Sequence, residues 1–331
     1  MHWSEVWHGK SLNSRLARLS LTPLSWVYAG AWQGYLAVYR LGLTKAKEPH
    51  RPVICVGNLV AGGSGKSPLT RYTALALREM GREVVVGCSG YGAPHSEEAT
   101  VAPDGPLDAG VWGDEPAMMR WLVPNLPLIV GRNRVRAAEL CQTQFPNAVL
   151  LMDDGFQHLP LRKHLSILSD PPTDNHRCLP AGPYREPWGN RSRADLVLPN
   201  GMKPSMKIGA LKRPDGSSIA SDIPLRVGVL CALGNPVRFL ADLEDFGVTV
   251  EQSKLLPDHD DLQVGNLFDQ FDLGLPLVVT AKDWVKLQRR SDLGTRQFLI
   301  AEQEVRIEPE AEFKAWLARK LDELSKEQPA S

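Results

Sequence analysis

The sequence has no net charge: its 38 basic and 38 acidic residues cancel over 331 positions. A protein that grips nucleic acid through phosphates needs a basic field, so no nucleic-acid partner is expected. Cysteine is scarce and odd in number, at Cys55, Cys88, Cys141, Cys178 and Cys231, with no C-x-x-C pair. That pattern excludes a disulfide framework and a cysteine zinc site, and points to reduced thiols in cytosol. The histidines show no zinc-ligand spacing, and no internal repeat or low-complexity tract is visible. Residues 1–10 are polar and aromatic and lack an apolar core, so no signal peptide is expected there. The uncharged stretch 24–39 falls short of the roughly 20 residues a bilayer span needs.

That stretch is informative in another way. Tyr28, Trp32, Tyr35 and Tyr39 recur at helical spacing, flanked by Arg15, Arg18 and Arg40. Aromatic rings and cations in this arrangement suit a helix lying at a membrane interface. A helix packed on its own domain has the same spacing, and this segment alone does not separate the two.

Further along, apolar runs at 52–57, 83–87, 127–131, 148–152 and 165–169 alternate with helical stretches at 67–80, 115–122 and 133–144. Continuous apolar runs alternating with helices predict an α/β fold with a mostly parallel sheet flanked by helices. Residues 171–222 are rich in Pro, Gly, Asn and Arg and read as a connecting or substrate-facing region. A smaller α/β block follows, with strands at 226–230, 275–280 and 298–300, a helix at 236–246 and an amphipathic closing helix at 310–324. The expected organisation is an N-terminal helical segment at 1–48, a core domain at 49–222 and a smaller α/β domain at 223–331.

The first apolar strand runs into Gly62-Gly63-Ser64-Gly65-Lys66-Ser67 and then a helical segment. Strand, glycine-rich turn and helix form the phosphate-binding loop of P-loop NTPase-type folds. Backbone N–H groups cradle the phosphates, Lys66 reaches the β/γ-phosphates and the Ser67 hydroxyl can ligand Mg²⁺. Glycine is missing only at position 60, where the chain has Val60. The strand ending at Met152 opens into Asp153-Asp154-Gly155-Phe156-Gln157-His158, and acids at the tip of a neighbouring strand complete such a Mg²⁺ site. Asp114, in Gly113-Asp114-Glu115-Pro116, fits either a helix cap or a carboxylate that accepts a hydroxyl proton. His259 stands among Asp258, Asp260 and Asp261, as a proton-handling histidine or part of a solvated acidic loop. Arg132, Arg134 and Arg185 are candidate phosphate or substrate binders, because guanidinium groups match phosphate bidentately.

Taken in order, Gly57-Asn58, the 62–68 loop, Gly90-Tyr91-Gly92, Gly113–Pro116, Gly131–Arg134, Asp153–His158, Leu179–Pro187, Pro257–His259 and Thr280–Asp283 resemble the tetraacyldisaccharide 4'-kinase family of lipid A biosynthesis. That family also lacks the first loop glycine. The resemblance implies ATP and Mg²⁺, and an acylated glucosamine disaccharide 1-phosphate whose 4'-hydroxyl receives the γ-phosphate. It implies Asp114 as base with His259 as partner, Lys66 on the transferring phosphoryl group, and Ser67, Asp153 and Asp154 on the metal with Gln157 helping to position it. It also implies that the N-terminal amphipathic helix docks on the cytoplasmic face of the bacterial inner membrane, peripherally or monotopically. A membrane-associated ATPase switch without a lipid acceptor is the rival reading.

Overall fold

The continuous apolar runs become buried parallel strands. The computed structural model describes residues 3–62, 65–219, 225–258 and 260–327. The chain opens with α1 (Trp3–His8) and the long α2 (Leu12–Arg40), followed by β1 (Val53–Asn58), α3 (Lys66–Glu79), β2 (Val84–Cys88) and β3 (Thr100–Val101). Next come α4 (Ala109–Trp112), α5 (Asp114–Leu122), β4 (Leu128–Val130), α6 (Arg134–Gln144), β5 (Val149–Asp153), β6 (Leu165–Ser169) and β7 (Leu196–Leu198). The remainder comprises β8 (Lys203–Lys212), β9 (Leu225–Ala232), α7 (Pro236–Asp245), β10 (Val248–Leu256), β11 (Leu277–Thr280), α8 (Ala281–Leu287), β12 (Phe298–Glu308) and α9 (Glu310–Glu327).

Among the described residues the first sheet has the order β3-β4-β2-β5-β1-β6-β7. β1 lies between β5 and β6, parallel to both, and only β3 is antiparallel to its neighbour. Because the strands are parallel, β1, β5, β2 and β4 all end at the same edge. The loops after them are therefore brought together there, where open α/β sheets bind ligands. Every residue of β1 and β5 is buried, since helices cover both faces. On one face the core includes Leu69 and Leu77 of α3, Met119 of α5 and Leu317 of α9. On the other it includes Ala137 and Cys141 of α6, with Phe156 and Tyr184 from loops. All five cysteines are buried free thiols.

The second sheet has the order β10-β9-β11-β12-β8, parallel except for β12 against β8. Two elements cross the expected boundary at 222/223. β8 precedes it but pairs in the second sheet. α9 follows it but packs on the first core, where Phe313 and Leu317 are fully buried and Phe313 contacts the Tyr72 ring. Each such burial contributes about 1.5–3 kcal/mol, which holds the closing helix to the first unit. Arg71 of α3 pairs with Glu302 of β12, which also takes Lys212 of β8 at 2.8 Å, so the helix behind the glycine loop is tied to the second sheet.

α2 extends well beyond the expected 24–39 and runs through Pro23. Its anchoring face is polar and aromatic. Ser25 donates to the Cys178 carbonyl, Tyr28 to the Arg185 carbonyl and Gln33 to Asn190. Tyr28 therefore belongs to the packed side, while the apolar surface left exposed includes Leu12, Leu16, Leu19, Leu24, Trp26, Val27 and Tyr35.

Candidate active site

After Asn58 the chain turns through the glycine-rich segment into α3. Gly65 takes φ 73°, a left-handed conformation that favours glycine; a Cβ there would meet only the flexible end of the Met206 side chain, so the backbone is what requires glycine. Gly62 also has positive φ, 98°. Gly63 and Ser64 lie outside the described residues. Lys66 and Ser67 open α3, whose N-terminal N–H groups face the end of the turn.

The Lys66 ammonium is held on two sides. It donates to Asn58 Oδ1 at 3.2 Å and lies 3.2 Å from Asp154 Oδ2. Arg185 donates to the same Asp154 oxygen at 2.8 Å. Burial pushes the Asp154 pKa up, but Lys66 and Arg185 outweigh it and leave the carboxyl below its ordinary value. Its backbone sits at φ 54°, unusual for a residue with a Cβ, at the sharp turn after β5.

Asp153, the last residue of β5, accepts from the Thr70 hydroxyl at 2.9 Å. Burial, then the Asp154 charge, raise its pKa, against the Thr70 and Ser67 hydroxyls and Lys66. Asp153 Oδ2 and Asp154 Oδ1 are buried and have no hydrogen-bond partner in the described structure. Such oxygens are costly to bury, and a hard cation removes the cost. Among the described residues, no three His, Cys, Asp or Glu side chains form a ready metal cage. Mg²⁺ does not need one, because it binds through one or two carboxylates with phosphate oxygens and water completing the octahedron. The Ser67, Asp153 and Asp154 set fits that ion.

Glu115, on the first turn of α5, faces the same place. Burial, then the Asp153 charge, push its pKa up to about 7, while Lys282 and Lys66 pull the other way. Sequence reasoning took in the motif but gave this residue no role; its position next to Asp114 was the available signal.

Asp114 is not the cap of α5. Gly113, at φ 91° and with only 3.1 Å between a Cβ there and Gly90 Cα, turns the chain between α4 and α5 and occupies the cap position. Asp114 instead faces α8 of the second unit, with Oδ2 3.4 Å from Lys286 Nζ and 3.8 Å from Lys282 Nζ. Lys282 also lies 3.7 Å from Asp258, and Lys286 donates to the Asp260 carbonyl at 2.8 Å. His259 lies outside the described residues, but both its neighbours reach the lysine pair that holds Asp114. Lys282 stood in the Thr280–Asp283 motif without a role and Lys286 was not singled out, because a four-residue spacing on a short helix gives no sign of what it faces.

Three expectations need correction or refinement. Arg134 is buried and donates to the Asp153 carbonyl at 2.7 Å, so it braces the end of β5 from beneath and does not face a substrate. Gln157 commits its amide N–H groups to the Asn58 carbonyl, 2.9 Å, and to the buried Glu186, 3.1 Å. It therefore ties the ends of β1 and β5 to the 184–193 segment, a bracing contact beside the Asp153–Asp154 turn. Arg185 is partly exposed beside Asp154, and Arg132 borders open space. Its guanidinium stacks over the Tyr91 ring at 5.0 Å, and with Arg136, His158 and Glu97 it lines a cavity of about 850 Å³ beside the 154–158 loop. His158 contributes an unpartnered Nε2, and burial, then Lys163 and Arg134, lower its pKa to about 4, so the ring is neutral at pH 7.

Comparison with known proteins gives a consistent result. The tetraacyldisaccharide-1-P 4'-kinase family model (LpxK) matches residues 17–322. A tetraacyldisaccharide 4'-kinase of Verminephrobacter eiseniae is 37% identical over 291 residues, covering 82% of this chain and 66% of the relative, just under two thirds of its length. Another, from a Polaromonas species, is 36% identical over 300 residues, covering 86% of this chain and 87% of the relative. Among solved structures, LpxK from Aquifex aeolicus in complex with ATP superposes with a TM-score of 0.77 at 28% identity, covering 92% of this chain and 99% of that one. With a family model spanning nearly the whole chain and relatives above 30% identity, this protein belongs to the tetraacyldisaccharide 4'-kinase family.

Proposed function

We propose that the protein transfers the γ-phosphate of ATP to the 4'-hydroxyl of a tetraacyldisaccharide 1-phosphate, giving lipid IVA. The observation that carries this reading is the convergence of Lys66, Asp153, Asp154, Glu115 and Asp114 at one sheet edge. The glycine loop and the first turn of α3 hold the phosphates. Lys66, held by Asn58 and Asp154, is directed at the transferring phosphoryl group, where charge spreads in the transition state. Ser67, Asp153 and Asp154 would hold Mg²⁺, with Glu115 beside them; the ion neutralises phosphate charge. Asp114 accepts the 4'-hydroxyl proton as that oxygen bonds to the γ-phosphorus and the bond to the bridging oxygen of ADP breaks, and His259 is its proposed partner. Arg132 and Arg185 are left to bind anionic groups of the acceptor.

The acceptor's acyl chains keep it in a bilayer, so the enzyme has to reach it at the surface. The exposed Leu16, Leu19, Leu24, Trp26 and Val27 of α2 supply an apolar face, with Arg15 and Arg40 for anionic lipid. No described helix is long and apolar enough to cross a membrane; the proposed place is the cytoplasmic face of the inner membrane, where ATP is supplied. The test is ATP-dependent phosphorylation of the disaccharide 1-phosphate in mixed micelles with and without Mg²⁺. Labelled product should form only with acceptor and metal, and D114N should lower kcat by about 10²–10⁴. Hydrolysis of ATP at the same rate without acceptor would sink the proposal.

A further inference from the structure

Lys282 and Lys286 stand four positions apart on α8 and therefore share one face of it. That face meets the first turn of α5: both lysines reach the Asp114 carboxylate, Lys282 also lies against Asp258, and Lys286 donates to the Asp260 carbonyl. Lys286 is only 8% exposed. Burying an ammonium is expensive unless its donors are used, and those of Lys286 face Asp114 and the Asp260 carbonyl. The Lys286 carbonyl in turn accepts from Gln263 at 2.9 Å, fixing the far side of the same loop.

The helix that carries the lysines is itself pinned. Asp283, between them in sequence and fully buried, accepts from the Thr280 hydroxyl at 2.7 Å and from the Ala232 N–H at 3.3 Å, while its own N–H donates back to Thr280. The first turn of α8 is thereby locked to the ends of β9 and β11. Two ammonium groups on so rigid a face repel each other unless acids stand between them, so the lysines and Asp114 each determine where the other sits.

We infer that Lys282 and Lys286 are positioning residues for the phosphoryl transfer: acting from the second unit, they hold the Asp114 carboxylate and the 258–260 loop against one another. This rests on the proposed role of Asp114. The ion pairs and hydrogen bond of the two lysines go to Asp114, Asp258 and the Asp260 carbonyl, so their effect should fall on turnover rather than on nucleotide affinity.

The test uses the full-length protein in mixed micelles with K286M, K282M and D114N, singly and in lysine–aspartate pairs. Each lysine variant should lower kcat by about tenfold or more while KM for ATP stays within about threefold, because a small misplacement of a reacting group costs up to about a hundredfold. In the D114N background neither lysine change should lower kcat by more than about twofold, since its target is already gone. If K286M does not fold, as judged by its denaturation curve, K282M, at a more accessible position, decides the question. Lysine variants with full kcat, losses that appear in KM for ATP, or losses that multiply with that of D114N would overturn the inference while leaving Asp114 as base. A fully active D114N would overturn both.

Discussion

Replacing Glu115 with glutamine isolates the electrostatic cost of crowding acids at the sheet edge. In the fold, burial and the nearby Asp153 charge raise the Glu115 pKa from 4.5 to about 7. Each pKa unit corresponds to about 1.4 kcal/mol, so the ionised form is disfavoured by on the order of 3 kcal/mol relative to the unfolded chain. The sign follows from proton counting. Between pH 4.5 and 7 the folded protein keeps this proton and the unfolded chain has lost it, so stability falls as pH rises through that window and stays lowered above it. Glutamine has no proton to lose. In metal-free buffer the stability difference, E115Q minus wild type, should therefore grow from near zero below pH 4.5 to on the order of 3 kcal/mol at pH 8. Urea denaturation of both proteins, followed by tryptophan fluorescence at several pH values, gives that difference directly. Groups remote from Glu115 titrate alike in both proteins and cancel in the subtraction, while Asp153, which interacts with Glu115, shares in the difference. Adding Mg²⁺ with ATP should stabilise wild type more than the variant and narrow the gap. A difference that does not change with pH, or a variant less stable than wild type at pH 8, would refute this account of the acidic cluster.

Two further contrasts separate structural from substrate-facing roles. R134M should lower stability by about 2 kcal/mol, because it removes charge-assisted hydrogen bonds from beneath Asp153, whereas R132M should leave the denaturation midpoint unchanged and raise KM for the disaccharide; equal midpoints for the two variants would contradict the burial argument. On α2, changing exposed Leu19 or Trp26 to glutamate should weaken binding to anionic liposomes by about tenfold or more without altering stability, since each removes an apolar side chain from the proposed membrane-facing surface. Liposome co-sedimentation measures it, and unchanged partitioning would remove α2 from the membrane surface.

Much of the first unit was legible before the structure. The runs at 52–57 and 148–152 match β1 and β5 within a residue or two, because strands buried on both faces leave an uninterrupted apolar signature. β8 and β10 were missed for the opposite reason. Both are edge strands, partly exposed, and sequences such as K-P-S-M-K-I-G-A-L-K read locally as loop. The arginines show the limit most clearly: Arg132 and Arg134 are two positions apart in one motif, yet one lines a cavity and the other is buried under β5. Their residue type is the same, and only the turn from β4 into α6 separates their surroundings.

By itself the sequence determined the phosphate loop, the acids after β5, the α/β class and the family resemblance, because these depend on local spacing and on residue types suited to one task. Only the tertiary structure decided that Glu115 joins the acids, that α9 closes the first core, and that Asp114 is held by lysines more than 150 positions away in the chain. These depend on burial and on distances of a few ångströms between segments that are remote in sequence. Apolar periodicity predicts which face of an element is covered; what covers it, and with which charge, is decided when the elements pack.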